Sequence, residues 1–301
     1  MISAILRLMG VGAIEASEAI RSAVDERLET FLDGVEAELR AIDPACVVLV
    51  AELRRLLAAG GARLRPACCV LGFRAAGGVV GPAALGAAAA LELLHTMALI
   101  HDDVMDRSPS RRGVAATHRW FADRSRRAGD PDPERVGVGL AVLVGDLAAV
   151  LSDRLLLECG FAPERTATAL AVSFDVRVRM AAGQFLDLRS SGPDASDPEL
   201  VAELKGGTYS IVGPLLIGAT LAGGSPALLE RLRRFGVPLG RAFQLADDLR
   251  DGDAAPGLSA DRVRELVAQA LAVLDEGALP PGVVEDLRRL ATTIGASAEG
   301  R

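Results

Sequence analysis

Two groups of aspartates carry the most visible chemistry in this sequence. Asp102-Asp103-Val104-Met105-Asp106 and Asp247-Asp248-Leu249-Arg250-Asp251 share the spacing DDxxD, and each follows an apolar run. On a helix the first and last acids of such a group lie one turn apart on one face, with the second beside them. Packed carboxylates repel one another, and at a helix C-terminus they also oppose the macrodipole. A hard, oxygen-seeking cation offsets both penalties, and Mg²⁺ is the one expected. Asp102, Asp103, Asp106, Asp247, Asp248 and Asp251 are therefore the predicted metal ligands. If the two helices face each other, Mg²⁺ between them can grip a diphosphate and draw off its charge as it leaves carbon. One DDxxD alone is a weak signal; a pair at the ends of long apolar helices is a strong one.

The elements that must position these acids read as helices. Expected spans are 17–40, 46–59, 66–76, 82–106, 117–127, 137–160, 163–189, 198–222, 226–250, 261–275 and 281–293, with polar loops at 128–135 and 190–198. Prolines open several of these spans and glycines close others. No strand-like alternation and no internal repeat stands out. The expected fold is all-α: one domain, residues 1–301, with its helices around a buried central layer.

Composition agrees. Of 301 residues, 50% are hydrophobic and only 3% aromatic, a balance that favours helices and excludes a disordered chain. The net charge of −7 gives no global basic field for nucleic acid. Lys205 is the only lysine among 33 basic residues. Four cysteines without a CxxC read as reduced, buried thiols of a cytoplasmic protein. The three histidines lack zinc spacing. The N-terminus reads as the start of a helix, not a signal peptide. Two uncharged stretches, 75–91 and 206–229, contain glycine and proline and read as core, so no integral membrane segment is expected.

The order of the short motifs resembles the trans-isoprenyl diphosphate synthase family, also called polyprenyl synthetases. The pieces are Gly60-Gly61-Ala62-Arg63-Leu64-Arg65-Pro66, Glu92-Leu93-Leu94-His95, Leu99-Ile100-His101 before the first cluster, Arg111-Arg112-Gly113, Gly145-Asp146, Gly183-Gln184-Phe185-Leu186-Asp187, Lys205, and Phe243-Gln244-Leu245-Ala246 before the second cluster. The resemblance spans about residues 60–251. It implies an isoprenoid-synthase-type bundle around a central cavity, a homodimer, and three Mg²⁺ ions per site. It also implies a reaction: an allylic prenyl diphosphate is ionised, and isopentenyl diphosphate attacks the carbocation. By the same resemblance Arg111 serves the allylic diphosphate, and Arg112, Arg65 and His95 serve isopentenyl diphosphate. Lys205 and Gln184 reach the leaving group or the cation. Chain types alone allow part of this, since arginine forks onto phosphate oxygens and apolar walls keep an allylic cation from water.

Three departures concern the diphosphate grip. Ala62 stands where the family usually has lysine, with Arg63 or Arg250 as candidate replacements. Gly206 follows Lys205 where the family usually has Thr or Ser, with Thr208, three residues on, expected on the same face. After residue 251 the chain is shorter than usual and lacks a Gly-Lys loop. These departures leave two alternatives beside chain elongation: a cyclase or lyase that ionises a ready-made prenyl diphosphate, and a non-catalytic partner subunit of another synthase. The resemblance also places the product-length floor at Met97 and Ala98, five and four residues before Asp102, with Leu94 a turn deeper. No aromatic closes this floor, and the cluster lacks a two-residue insertion, so the expected product is C20 geranylgeranyl diphosphate.

Overall fold

The computed structural model describes residues 11–189, 197–252, 258–277 and 279–298, with the side chains of 11–17 and of Asp251 outside that description. The chain runs through α1 (Val11–Ile42), a 3₁₀ turn (Pro44–Cys46), α2 (Val47–Ala58), α3 (Leu64–Ala75) and α4 (Pro82–Met105). A minimal hairpin follows, β1 (Ser110–Arg111) and β2 (Val114–Ala115), and then α5 (Thr117–Arg127), α6 (Pro133–Leu157) and α7 (Pro163–Leu188). Next, α8 (Pro198–Val201) passes without a break into a π-helical stretch (Ala202–Val212) and α9 (Gly213–Leu221). The chain ends with α10 (Pro226–Asp251), α11 (Ala260–Leu274) and α12 (Pro281–Ser297). The all-α expectation holds.

Local chemistry explains most helix starts. Proline occupies the first turn of α4, α6, α7, α8, α10 and α12, where its missing N–H has no intrahelical partner to lose. Asp132, Ser225 and Ser259 cap α6, α10 and α11 by accepting from backbone N–H groups of the first turn. Three expectations fail locally. Pro133 nucleates α6 earlier than the polar composition of 128–135 suggests. The segment after the first aspartate cluster forms a two-residue antiparallel pair, Arg111 opposite Val114, too short to show alternation. The span 198–222 is helical, but its middle is π-wound.

Two apolar cores hold the bundle. One joins α1, α2, α4 and α6 through Leu28, Leu53, Leu93 and Leu155; the other joins the end of the π stretch with α9 to α12 through Ile211, Leu215, Phe235 and Leu287. The α4 helix is long and apolar enough to cross a membrane, and so is α6. In α4 most of that surface is buried in the bundle, whereas in α6 more than half is not.

Candidate active site

The first aspartate cluster closes α4. Asp106 caps the helix through its N–H to the Asp102 carbonyl, 2.9 Å, and Ser108 N–H reaches the Asp103 carbonyl at 3.0 Å. The chain then turns back through Arg107, Arg112 and Gly113, all with positive φ. Arg112 and Gly113 are the two central residues of the hairpin and have the positive φ pair of a type I′ turn. Arginine is a costly choice there, and such strain marks functional sites. The turn splits the adjacent arginines. Arg111 donates from Nε (2.9 Å) and Nη2 (2.6 Å) to Asp103 Oδ1, and from Nη2 to Asp102 Oδ2 at 3.2 Å. Arg112 instead lies against Gly61, with Nη2 3.8 Å from Glu92 Oε1.

The π-helical stretch brings Lys205 to the same place. Its Nζ lies 2.5 Å from Asp187 Oδ2 on α7 and 3.7 Å from Asp102 Oδ1. Burial works against the Lys205 charge, but Asp187 and Asp102 outweigh it and raise its pKa. Gln184, one turn before Asp187, has a buried Nε2 without a hydrogen-bond partner, an unmade bond that a ligand oxygen would satisfy. From α10, Asp248 accepts from Gln244 Nε2 at 2.8 Å, and Asp247 pairs with Arg250. Burial pushes the Asp248 carboxyl up to about 6, against the Gln244 bond, and the charges of Lys205 and Asp187 both act on it. Asp106 is raised in the same way, by burial first and then by Asp102, and it too responds to Lys205 and Asp187. The two aspartate clusters thus converge on one lysine.

Close backbone approach makes this convergence possible. Gly207 and Gly240 touch backbone to backbone, so the π stretch and α10 pack without side chains between them. A Cβ at Gly206 would overlap the Gln244 carboxamide. Gly206 is therefore the space that Gln244 needs to reach Asp248. Thr208 is buried. The expectation that it shares a face with Lys205 assumed α geometry; in a wider helix with i→i+5 bonds, a three-residue step falls further short of a full turn.

A second basic group lies beside the first cluster. Arg65, His95 and Arg112 gather between α3, α4 and the hairpin. Burial, reinforced by Arg65, Arg112, Arg63 and Arg111, holds the His95 pKa well below its usual value, so the ring is neutral. Arg65 has a buried Nε with no hydrogen-bond partner. Arg63 does not replace the missing lysine at 62. Held in a left-handed conformation, it donates to Asp25 (2.7 Å), to the buried Glu92 (2.8 Å) and to the Leu57 carbonyl (3.0 Å), which occupies its guanidinium. Arg250 is likewise tied to Asp247.

The donor set fits a cation shared with phosphate. Among the described residues no trio of acids is close enough to hold a metal unaided. Mg²⁺ is commonly bound by one or two carboxylates together with substrate phosphates. Asp102, Asp103, Asp106, Asp247 and Asp248 offer such sets on the two sides of Lys205, while the Asp251 side chain lies outside the described residues. Burial raises the Asp103 and Asp248 carboxyls, with Arg111 and Gln244 acting against it.

Below the first cluster, Met97 is 8% exposed, Leu94 is buried and Ala98 is half-buried. Sequence reading placed Gln244 and Asp187 in motifs without assigning them a role, and it passed over Tyr209, the only tyrosine, as one residue in an apolar run. The signal available for Asp187 was its position one turn after Gln184.

An all-α bundle with two aspartate clusters drawn toward one lysine defines a class, and comparison with known proteins agrees. Residues 47–257 match the polyprenyl synthetase family, and the chain belongs to it. It is 32% identical over 229 residues to a short-chain isoprenyl diphosphate synthase of Methanothermobacter thermautotrophicus, a match covering 75% of this chain and 62% of that protein. It is 29% identical over 296 residues to a geranylfarnesyl diphosphate synthase of Natronomonas pharaonis, covering 90% and 81%. The crystal structure of a geranylgeranyl pyrophosphate synthase from Corynebacterium glutamicum, complexed with isoprenyl diphosphate and magnesium, superposes with a TM-score of 0.85 at 29% identity over 95% of this chain and 99% of that one.

Proposed function

We propose that this protein is a Mg²⁺-dependent trans-prenyltransferase that condenses an allylic prenyl diphosphate with isopentenyl diphosphate. The observation that supports this reading is that the polar side chains fall into two separate groups, one acidic around Lys205 and one basic around His95. Paired acids around Lys205 suit a metal-bound allylic diphosphate, and Arg65, His95 and Arg112 suit a second, metal-free diphosphate. When bound, Mg²⁺ supplies positive charge that stabilises the departing diphosphate. Lys205, Arg111 and Gln184 donate to that leaving group as the C–O bond breaks and its electron pair departs with oxygen. The isopentenyl double bond then attacks the allylic carbon, a C–C bond forms, and transfer of a proton from the new cation to the released diphosphate restores an alkene. Met97, Ala98 and Leu94 form the floor, and the product we favour is C20.

The Ala62 substitution and the full engagement of Arg63 favour a second reading, a cyclase or lyase that keeps only the ionising half. One experiment separates the readings: pure protein with Mg²⁺ and farnesyl diphosphate, with and without isopentenyl diphosphate. A longer diphosphate only with both substrates supports condensation. Hydrocarbon or alcohol from farnesyl diphosphate alone supports the second reading, and no product in either tube points to a partner subunit.

The same reading includes a homodimer. On α6, Val138, Val142, Leu143, Val150 and Leu157 are exposed, and on α7 so are Phe174, Val178, Phe185 and Leu188. A patch of this kind marks an interaction surface, and a second copy would bring the same two apolar helices in an isologous contact. Light scattering should give twice the chain mass, reverting to one on Phe174→Asp/Val178→Asp. The four cysteines are free, which accords with a reducing compartment, and the cytoplasm is the proposed location.

A further inference from the structure

Tyr209 and Arg65 approach His95 together. The Arg65 guanidinium carbon lies 4.2 Å from the Tyr209 ring centroid, and its Nη2 donates to Ser210 Oγ at 2.7 Å. The Tyr209 hydroxyl lies 2.9 Å from His95 Nδ1. Tyr209 is buried, and burial raises its pKa so that the phenol keeps its proton. A phenol O–H is a stronger donor than a neutral imidazole N–H, so the hydroxyl turns its proton toward His95 Nδ1. Nδ1 then accepts, and a neutral imidazole must carry its proton on the other nitrogen.

We propose that Tyr209 is a positioning residue that fixes His95 as the Nε2–H tautomer, so that the ring gives one directed N–H to the diphosphate of the non-allylic substrate. This rests on the prenyltransferase reading above. Tyr209 does not touch substrate in this scheme; it acts through His95. The device matters here because the lysine expected at 62 is alanine and Arg63 is committed elsewhere. The grip on that diphosphate then depends on Arg65, Arg112 and the orientation of one uncharged ring. The unmade bond at Arg65 Nε marks the same spot as short of an acceptor.

The test has a spectroscopic and a kinetic arm. The chain has three histidines, so long-range ¹H–¹⁵N spectra of histidine-labelled protein, assigned with His95→Gln, report the His95 tautomer without any substrate. The expected result is a single Nε2–H form in the wild type and a mixture in Tyr209→Phe, which keeps the ring that Arg65 stacks on. In steady state, Tyr209→Phe should raise the KM for isopentenyl diphosphate about three- to tenfold, the scale of one hydrogen bond. The KM for the allylic diphosphate should stay within about twofold. In a His95→Gln background, where no tautomer exists, Tyr209→Phe should have no further effect on either KM. A wild-type Nδ1–H tautomer, or an equal rise in both KM values, overturns the proposal. Absence of condensation in the wild type instead sinks the prenyltransferase reading, and the spectra still decide the Tyr209–His95 link.

Discussion

Lys205 Nζ lies 2.5 Å from Asp187 Oδ2 and 3.7 Å from Asp102 Oδ1, so the only lysine in the chain bridges the ends of α7 and α4. In the proposed reaction its charge faces the leaving diphosphate between the two aspartate clusters. Asp187 holds it there before substrate arrives, and neither helix alone could place it. Electrostatic preorganisation of this kind adds nothing to fold stability in general, because two partly buried charges also lose hydration.

Asp187→Asn should therefore reduce turnover while leaving the fold intact. The expected loss in kcat is roughly tenfold or more, the scale of one charge-assisted hydrogen bond. Asp102→Ala and Asp247→Ala should remove nearly all turnover, since each loses a carboxylate proposed to hold Mg²⁺. Single-turnover rates with saturating Mg²⁺ check the ranking. Asp187→Asn with wild-type kcat would show that Lys205 needs no holder.

The glycine pair at 206 and 207 should respond in opposite ways. At Gly206 the obstacle is the flexible end of Gln244, which can move aside. Gly206→Ala should keep its melting temperature but break the Gln244–Asp248 bond, raising the Mg²⁺ concentration needed for half-maximal rate. At Gly207 the obstacle is the backbone of Gly240, which cannot yield. Gly207→Ala should lose about 1–3 kcal/mol of stability, the usual cost of overpacking, read by denaturant unfolding.

These two glycines also show what the sequence conveys and what it does not. Helix positions are legible because proline and glycine punctuate the chain, and the aspartate pair is legible because its spacing repeats. The π winding of 202–212 is not, because its apolar and glycine residues suit α and π turns equally; the face expected for Thr208 rests on α geometry that the stretch does not have. Arg63 reads as a spare cation by type alone. Only the fold brings Asp25 and Glu92, from α1 and α4, onto it. Tyr209 was hidden for a similar reason, since its partners come from α3 and α4 and no local spacing links them.

The second cluster gives a pH dependence with a definite sign. Burial raises the folded Asp248 carboxyl to about 6, against an ordinary aspartate value of about 4. Between those values the folded protein holds a proton that the unfolded chain has released. Stability of the Mg²⁺-free protein should therefore fall as pH rises through that window and stay lower above it. Asp248→Asn should flatten this slope, leaving the share of Asp103 and Asp106, which burial also raises, and should raise the melting temperature at pH 7 by a few degrees while abolishing activity. Thermal melts of wild type and Asp248→Asn from pH 4 to 8 in EDTA test it; identical pH dependence in the two proteins would contradict it.

Product length tests the proposed chain-length floor. Met97 is 8% exposed and Leu94 is buried a turn below it, while Ala98 offers little bulk. Methionine is flexible and fills space without fixing a shape, so it sets a soft stop, whereas phenylalanine sets a hard one. Met97→Phe should shorten the product toward C15, and Met97→Ala should lengthen it toward C25. Chromatography of the dephosphorylated alcohols, with farnesyl or geranyl diphosphate as primer, reads the distribution directly. Circular dichroism melts run alongside, because Met97 also belongs to the first apolar core and Met→Ala in a core costs about 2–5 kcal/mol. If both variants stay folded and the distribution does not move in either direction, Met97 is packing and the stop lies elsewhere.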